Sequence, residues 1–402
     1  MTNFHTSETA TGTGDRSRPR AVLPALCATQ ITSWGIVYYA FPILNARITA
    51  DTGWSTTATT GAFSAALIVS ALAGVPVGRI LDHRGPRAVM TLGSVLATLA
   101  TLAVATAPNL VVFLAAWMLA GIGMAATFYQ PAFAALTRWW GQDRIRALTT
   151  VTLAGGLAST VFAPLTATLA EHLNWRTTYA VLALLLALVT IPAHALALRA
   201  PWTPAPRPSS QRDTHSGPVA RTRPFLMLAT ALTLNSFAMY AVVIALVPLL
   251  IARGASPTAA AWALGLGGAG QTLGRTLYAA LARHTGVTTR TVTLIALGGG
   301  TTATFAAISG PFPLLLGIAI AAGMVRGNLT LLQATAVTDR WGTTHYGRLS
   351  GLLSAPATIA SALAPLAGAA LAGPLGGYPA LFAMLALAST VAALLALGSR
   401  QR

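Results

Sequence analysis

Lysine is missing from this sequence: all 25 basic residues are arginine. That absence excludes a Walker-A lysine, and with it a P-loop ATPase, as well as any Schiff-base lysine chemistry. Cysteine occurs once, at Cys27, so there is neither an intrachain disulfide nor a CxxC metal centre, and no cofactor or metal is expected. Only eight residues are acidic, and charged residues of all kinds make up 8% of the 402, against the ~25% of a soluble domain. A soluble protein of this length needs polar groups to cover its surface, and this chain does not have them. What it has is apolar sequence, at 54% of residues, broken into long runs. Such a chain takes the lipid bilayer as its solvent. The formal charge of +17 is spread over short connecting segments with no compact basic domain, so no nucleic acid partner is expected.

A membrane-spanning helix needs roughly 20 apolar residues. Runs of that kind predict helices near 21–44, 56–81, 87–107, 109–137, 147–170 and 175–199, then 224–252, 258–282, 289–309, 312–337, 347–372 and 377–398. The first twenty residues are polar, lack the apolar core of a signal peptide, and read as a disordered cytoplasmic tail. The Pro-, Ser- and charge-rich stretch 201–222 reads as a cytoplasmic linker between a bundle at 21–200 and another at 223–402. Arginine placement supports this map. With both termini inside, 21 arginines fall on the cytoplasmic side, three (Arg47, Arg176, Arg253) fall outside, and Arg326 sits within a span. That asymmetry is the positive-inside pattern of a multi-pass protein, here expected in a bacterial plasma membrane. The two bundles also repeat at an offset near 201: Tyr39-Ala40 and Tyr240-Ala241, Ser55 and Ser256, Trp140-Gly141 and Trp341-Gly342, Ala163-Pro164-Leu165 and Ala364-Pro365-Leu366. The expected fold is therefore an all-α membrane protein with twelve transmembrane helices in two pseudo-symmetric six-helix bundles, its binding site between them near the midplane.

The segment Gly78-Arg-Ile-Leu-Asp82-His-Arg84-Gly85-Pro-Arg87 resembles the GxxxDxxGxR signature of the major facilitator superfamily. The resemblance implies a conformational latch made of Gly78, Asp82, Arg84, Gly85 and Arg87. Gly78 would allow close helix approach, Asp82 would face a helix N-terminus, and Gly85 would make the turn. The second copy, from Arg283 to Arg290, lacks the aspartate. A narrower resemblance, to the monocarboxylate transporter family, rests on Tyr39-Ala40-Phe41-Pro42, on Trp139-Trp140 with Arg146-Ala147-Leu148, and on Asn174-Trp175-Arg176. It implies that Arg275 binds a substrate carboxylate. Two positions depart from that family: its helix-1 lysine is Ile43 here and its helix-8 aspartate is Gln271.

Arg326 lies about 20 Å into its helix at 1.5 Å per residue. A charge there costs at least ~2.5–3.5 kcal/mol on insertion scales, so it should face a wet or protein-lined cavity. The other reading is an arginine bonding free carbonyls at a break by Gly327, and for Arg275 the other reading is snorkelling to the interface. Other candidate substrate contacts on the cavity-lining helices are Tyr39, Tyr129, Gln130, Asn235, Tyr240, Gln271 and Asn328. Trp34 and Tyr38 share those helices. No acid and no histidine lies mid-span, so no buried proton relay is available. These features lead to the expectation of a monomeric transporter moving a small organic anion, such as a monocarboxylate, by alternating access. The rivals are export of a neutral or apolar molecule, a transporter-like sensor without flux, and an intramembrane enzyme. The enzyme is disfavoured by the lack of a mid-membrane aspartate pair, an HExxH motif or a Ser–His arrangement.

Overall fold

The computed structural model describes residues 19–202, 217–342 and 346–400, which are helical apart from short connections. The predicted tail at 1–20 and linker at 201–222 therefore lie mostly outside the described residues. Among the described residues twelve long rods make up the fold. Helix α1 spans 22–52 as Val22–Trp34, a π-helical turn Gly35–Tyr39, and Ala40–Thr52. It is followed by α2 (Thr56–Arg84), α3 (Pro86–Thr106), α4 (Leu110–Trp140), α5 (Arg144–His172) and α6 (Trp175–Ala197). The second half contains α7 (Arg223–Ala252), α8 (Pro257–His284), α9 (Val287–Ala307), α10 (Phe312–Thr335), α11 (Tyr346–Ala372) and α12 (Tyr378–Leu397). Among the described residues nine helices are long and apolar enough on their own to cross a membrane; α1, α8 and α9 are not. Their sequences explain it. The π turn divides α1, α8 carries several glycines with Gln271 and Arg275, and α9 is rich in threonine and glycine.

The sequence repeat reappears as repeated local structure. Ser55 and Ser256 cap α2 and α8 alike, each Oγ accepting a hydrogen bond at 3.1 Å from the N–H of Ala58 or Ala259. Gly141 and Gly342, each following a tryptophan, end their helices at φ of 51° and 72°, where a side chain would be strained. Leucines of α3, α6 and α12 such as Leu92, Leu188, Leu387 and Leu394 are exposed and form the lipid-facing wall. The two halves meet along two seams, α2 against α11 and α5 against α8. Ser64 accepts from the Leu366 N–H at 3.0 Å across the first, and Thr160 donates to the Gly265 carbonyl at 2.8 Å across the second. At the end remote from the termini the Thr258 hydroxyl also bonds the Glu171 carboxylate, and the last part of α1 reaches α7.

Candidate functional site

Three helix irregularities shape the space between the halves, and proline accounts for two of them. A proline lacks the N–H that would bond the carbonyl four residues earlier and crowds that carbonyl. In α1 Pro42 follows Tyr38 by four, and the helix answers with the π turn, in which the Ala40 N–H reaches Gly35. In α4 Pro131 frees the Thr127 carbonyl, and the chain breaks at Phe128, whose ψ is −161°. Gln30 of α1 reaches across and donates to Thr127 O at 2.7 Å, so the break is buried yet satisfied. The third irregularity, in α5, falls at Leu157 directly after Gly155 and Gly156, not at Pro164, which lies inside a continuous segment. Both glycines are needed there. A Cβ at Gly155 would overlap the Tyr129 hydroxyl, and one at Gly156 would lie 2.6 Å from Thr272 Oγ1 and 3.1 Å from Arg275 Nη1.

These elements enclose a cavity of about 140 Å³ between the halves. From the predicted set it gathers Tyr39, Tyr129, Tyr240, Gln271, Arg275 and Arg326, to which the structure adds Trp34, Tyr38, Met239, Val243 and Thr330. Among the described residues no acid lines it. Helix α10 is continuous at Gly327, and Arg326 makes no side-chain hydrogen bond there; its Nε and Nη2 are buried without a partner among the described residues. The reading of Arg326 as an arginine tied to a broken helix is thereby removed. Arg275 is 8% exposed, so it does not snorkel; its Nη1 donates to the Thr152 carbonyl of α5, and it lines the same cavity as Tyr129. Both arginines ride on helices in backbone contact. A Cβ at Gly323 would overlap the Gly267 carbonyl, and one at Gly327 the Gln271 carbonyl, as in small-residue seams of membrane helices. Trp34 stacks on Phe128 with centroids 4.1 Å apart and lies 5.4 Å from Tyr38. The Trp34 Nε1 and the Tyr38 hydroxyl are buried and unpartnered, so donors outnumber acceptors around the cavity.

The remaining predicted residues disperse. Asn235 shares with Arg326 a small adjoining cavity of about 40 Å³. Gln130 is exposed and lines a larger cavity of about 290 Å³, which borders the central one at Trp34, Tyr38, Tyr129 and Tyr240. Asn328 faces none of these, because its Nδ2 donates to Met324 O at 2.9 Å on its own helix. Sequence reasoning placed Trp34 and Tyr38 on a cavity helix without counting them among the substrate contacts; the available signal was Pro42, four residues past Tyr38, which marks a turn that resets the facing of α1.

The latch residues cluster where α2 turns into α3. Gly85 has φ of 78°, and a Cβ there would lie 2.9 Å from Trp202. Trp202 Nε1 donates to the Asp82 carbonyl at 3.1 Å, Arg138 stacks over the Trp202 ring, and Arg87 Nε donates to Ala195 O of α6 at 2.9 Å. The start of the expected linker is thus part of the first half. Two expectations are corrected. Nothing approaches within 4 Å of a Cβ at Gly78, so it mediates no close helix contact in this conformation. Asp82 and Arg84 are exposed, and the Asp82 carboxylate has no partner among the described residues, since Trp202 takes the backbone carbonyl instead. In the second copy Arg290, though it lacks the loop aspartate, pairs with Asp339 at 2.6 Å.

Twelve helices in two like halves around an aromatic cavity with two arginines in its wall define the class: a multi-pass transporter of small molecules. The Major Facilitator Superfamily profile matches residues 26–253 and 226–401, and the chain belongs to that superfamily. It is a secondary transporter and not an enzyme. Monocarboxylate transporter 13 of Rattus norvegicus is 29% identical over 315 residues, 76% of this chain and 69% of the relative. Monocarboxylate transporter 13 of Bos taurus is 31% identical over 210 residues, covering 50% and 47% respectively. The crystal structure of an alanine mutant of the nucleoside transporter NupG superposes with a TM-score of 0.76 at 12% identity, covering 95% of this chain and all of that one, a likeness of fold.

Proposed function

We propose that this transporter moves a small organic anion, a monocarboxylate, by alternating access, as a monomer in a bacterial plasma membrane with both termini in the cytoplasm. The observation that carries the reading is the unpartnered guanidinium of Arg326 in a cavity with no acid to neutralise it. A buried cation without a counter-ion is costly, and a carboxylate bound through two parallel hydrogen bonds offsets that cost. Gln271, Tyr129 and Tyr240 complete the lining, and Arg275 supplies a second positive charge closer to the terminus-bearing end. Distant similarity to monocarboxylate transporter 13 points the same way. With no titratable acid in the cavity, uniport, anion exchange, or cotransport with the proton carried on the substrate all fit.

Purified protein in liposomes, given radiolabelled monocarboxylates with and without a pH gradient, tests the reading. Saturable uptake that an excess of unlabelled carboxylate suppresses is expected; strict proton antiport of a neutral substrate would contradict it. One observation favours the rival reading of a neutral or apolar substrate. A largely apolar cavity of about 250 Å³ lies between the halves at the far end, lined by Pro42, Asn45, Ile244, Pro248 and Pro365 among others.

A further inference from the structure

The central cavity has a shape and a chemistry beyond its charge. Around the two arginines its wall is built from five aromatic rings, those of Trp34, Tyr38, Tyr39, Tyr129 and Tyr240, with Met239 and Val243. Trp34 is fixed by its stack on Phe128, and Tyr38 packs edge-on against Phe63, 5.3 Å between centroids. These rings are therefore held in place before any ligand arrives, which reduces the ordering cost of binding. Trp34, Tyr39, Tyr129, Tyr240 and Arg326 keep partial exposure although they lie in the middle of the bundle, so they present surface to the cavity. Size decides which apolar body fits. At about 140 Å³ the space matches the ~150 Å³ cavity known to accept benzene. A two- or three-carbon acid would leave most of that aromatic wall uncovered.

We infer that the substrate is an aryl carboxylate: a single six-membered aromatic ring bearing one carboxylate, with the carboxylate on Arg326 and the ring among Trp34, Tyr39 and Tyr240. The inference rests on the anion reading above and narrows it. Aromatic pairs in offset or edge-to-face geometry add about 0.5–1.5 kcal/mol each beyond burial, or roughly 2- to 12-fold in affinity per ring contact.

The test measures binding of benzoate, propionate, cyclohexanecarboxylate and benzamide to the full-length protein in detergent, by calorimetry. The inference expects benzoate to bind about tenfold or more tighter than propionate and several-fold tighter than cyclohexanecarboxylate, which matches the ring in size but has no π-face. Trp34→Leu and, separately, Tyr240→Leu should bring benzoate down to the level of cyclohexanecarboxylate, a several-fold loss that exceeds any loss of propionate affinity in the same variant. Propionate serves as the internal check that each variant is folded and competent. Propionate binding as tightly as benzoate, or variants that lower both acids equally, would overturn the aryl assignment and leave the anion reading intact. Benzamide binding as tightly as benzoate would overturn the anion reading, as would a protein to which no carboxylate binds, and the aryl carboxylate would fall with it.

Discussion

Arg326 is the residue at which charge, depth and isolation meet, and each of its substitutions separates a binding role from a structural one. On the anion reading proposed above, Arg326→Ala removes the charged partner of the carboxylate, a change worth about 2–5 kcal/mol when one member of a buried charge pair is truncated. It should nearly abolish anion binding. The same change removes a partly buried cation without a counter-ion, so the detergent melting temperature should hold or rise. Arg326→Lys keeps the charge but loses the planar fork, and binding should weaken by about 1–2 kcal/mol. Calorimetry and thermal melting on the same preparations check both. A folded Arg326→Ala protein with normal affinity would remove the residue from the site. Arg275 is a different case. Its bond to the Thr152 carbonyl and its packing against Gly156 give it work at the seam between the halves, so its replacement is expected to cost stability as well as affinity.

At the scale of the helix, two contacts lend themselves to measurement. Gln30→Leu leaves the Thr127 carbonyl at the α4 break buried without its donor, at a cost of about 1–3 kcal/mol. A lowered unfolding midpoint in detergent is the expected result; an unchanged midpoint would mean that water or a shifted helix takes Gln30's place. Asp339→Asn removes the partner of Arg290, whose side chain is 5% exposed, and leaves Arg290 and the nearby Arg340 as uncompensated like charges. Breaking a fully buried pair costs 3–5 kcal/mol; with Asp339 26% exposed, solvent screening brings the expected loss to about 1–3 kcal/mol, read as a lower melting temperature that added salt partly restores. Much of this scale was legible in advance. Apolar runs placed the helices, and the repeat anticipated the matching caps at Ser55 and Ser256. The breaks were half legible: Pro131 marks one, whereas the bend in α5 belongs to Gly155 and Gly156 and not to Pro164. Which carbonyl Arg275 would find, that Asn328 would bond its own helix, and that Trp202 would occupy the latch turn could not be read. Hydrophobic pattern reports that a helix forms and which stripe is apolar, but not the register at which a neighbouring helix passes.

For the whole molecule, the halves touch along α2–α11 and α5–α8 and enclose the site between those seams. If arginine bias sets the orientation, a cysteine at Ala200 should be reached by impermeant thiol reagents only from the cytoplasmic side, and one at Ala50 only from outside, in a Cys27→Ser background. Labelling of Ala200→Cys in intact cells would reverse the map. The family fold was readable from duplication and charge; the pairing of α8 with α10 was not, because glycines in a sequence do not name the helix they face. That pairing has a consequence for the transport cycle. Since carbonyls of α8 meet glycines of α10 directly, the two helices cannot slide without colliding, and Arg275 and Arg326 keep a fixed spacing throughout alternating access. Trp34, Tyr38 and Tyr129 belong to the other half and must travel relative to them. On the proposed reading the site would work like callipers with one jaw clamped: the cationic jaw would stay set, cargo would be let go when the aromatic jaw withdraws, and spin labels on α8 and α10 would give an unchanging internal ruler against which that withdrawal is measured.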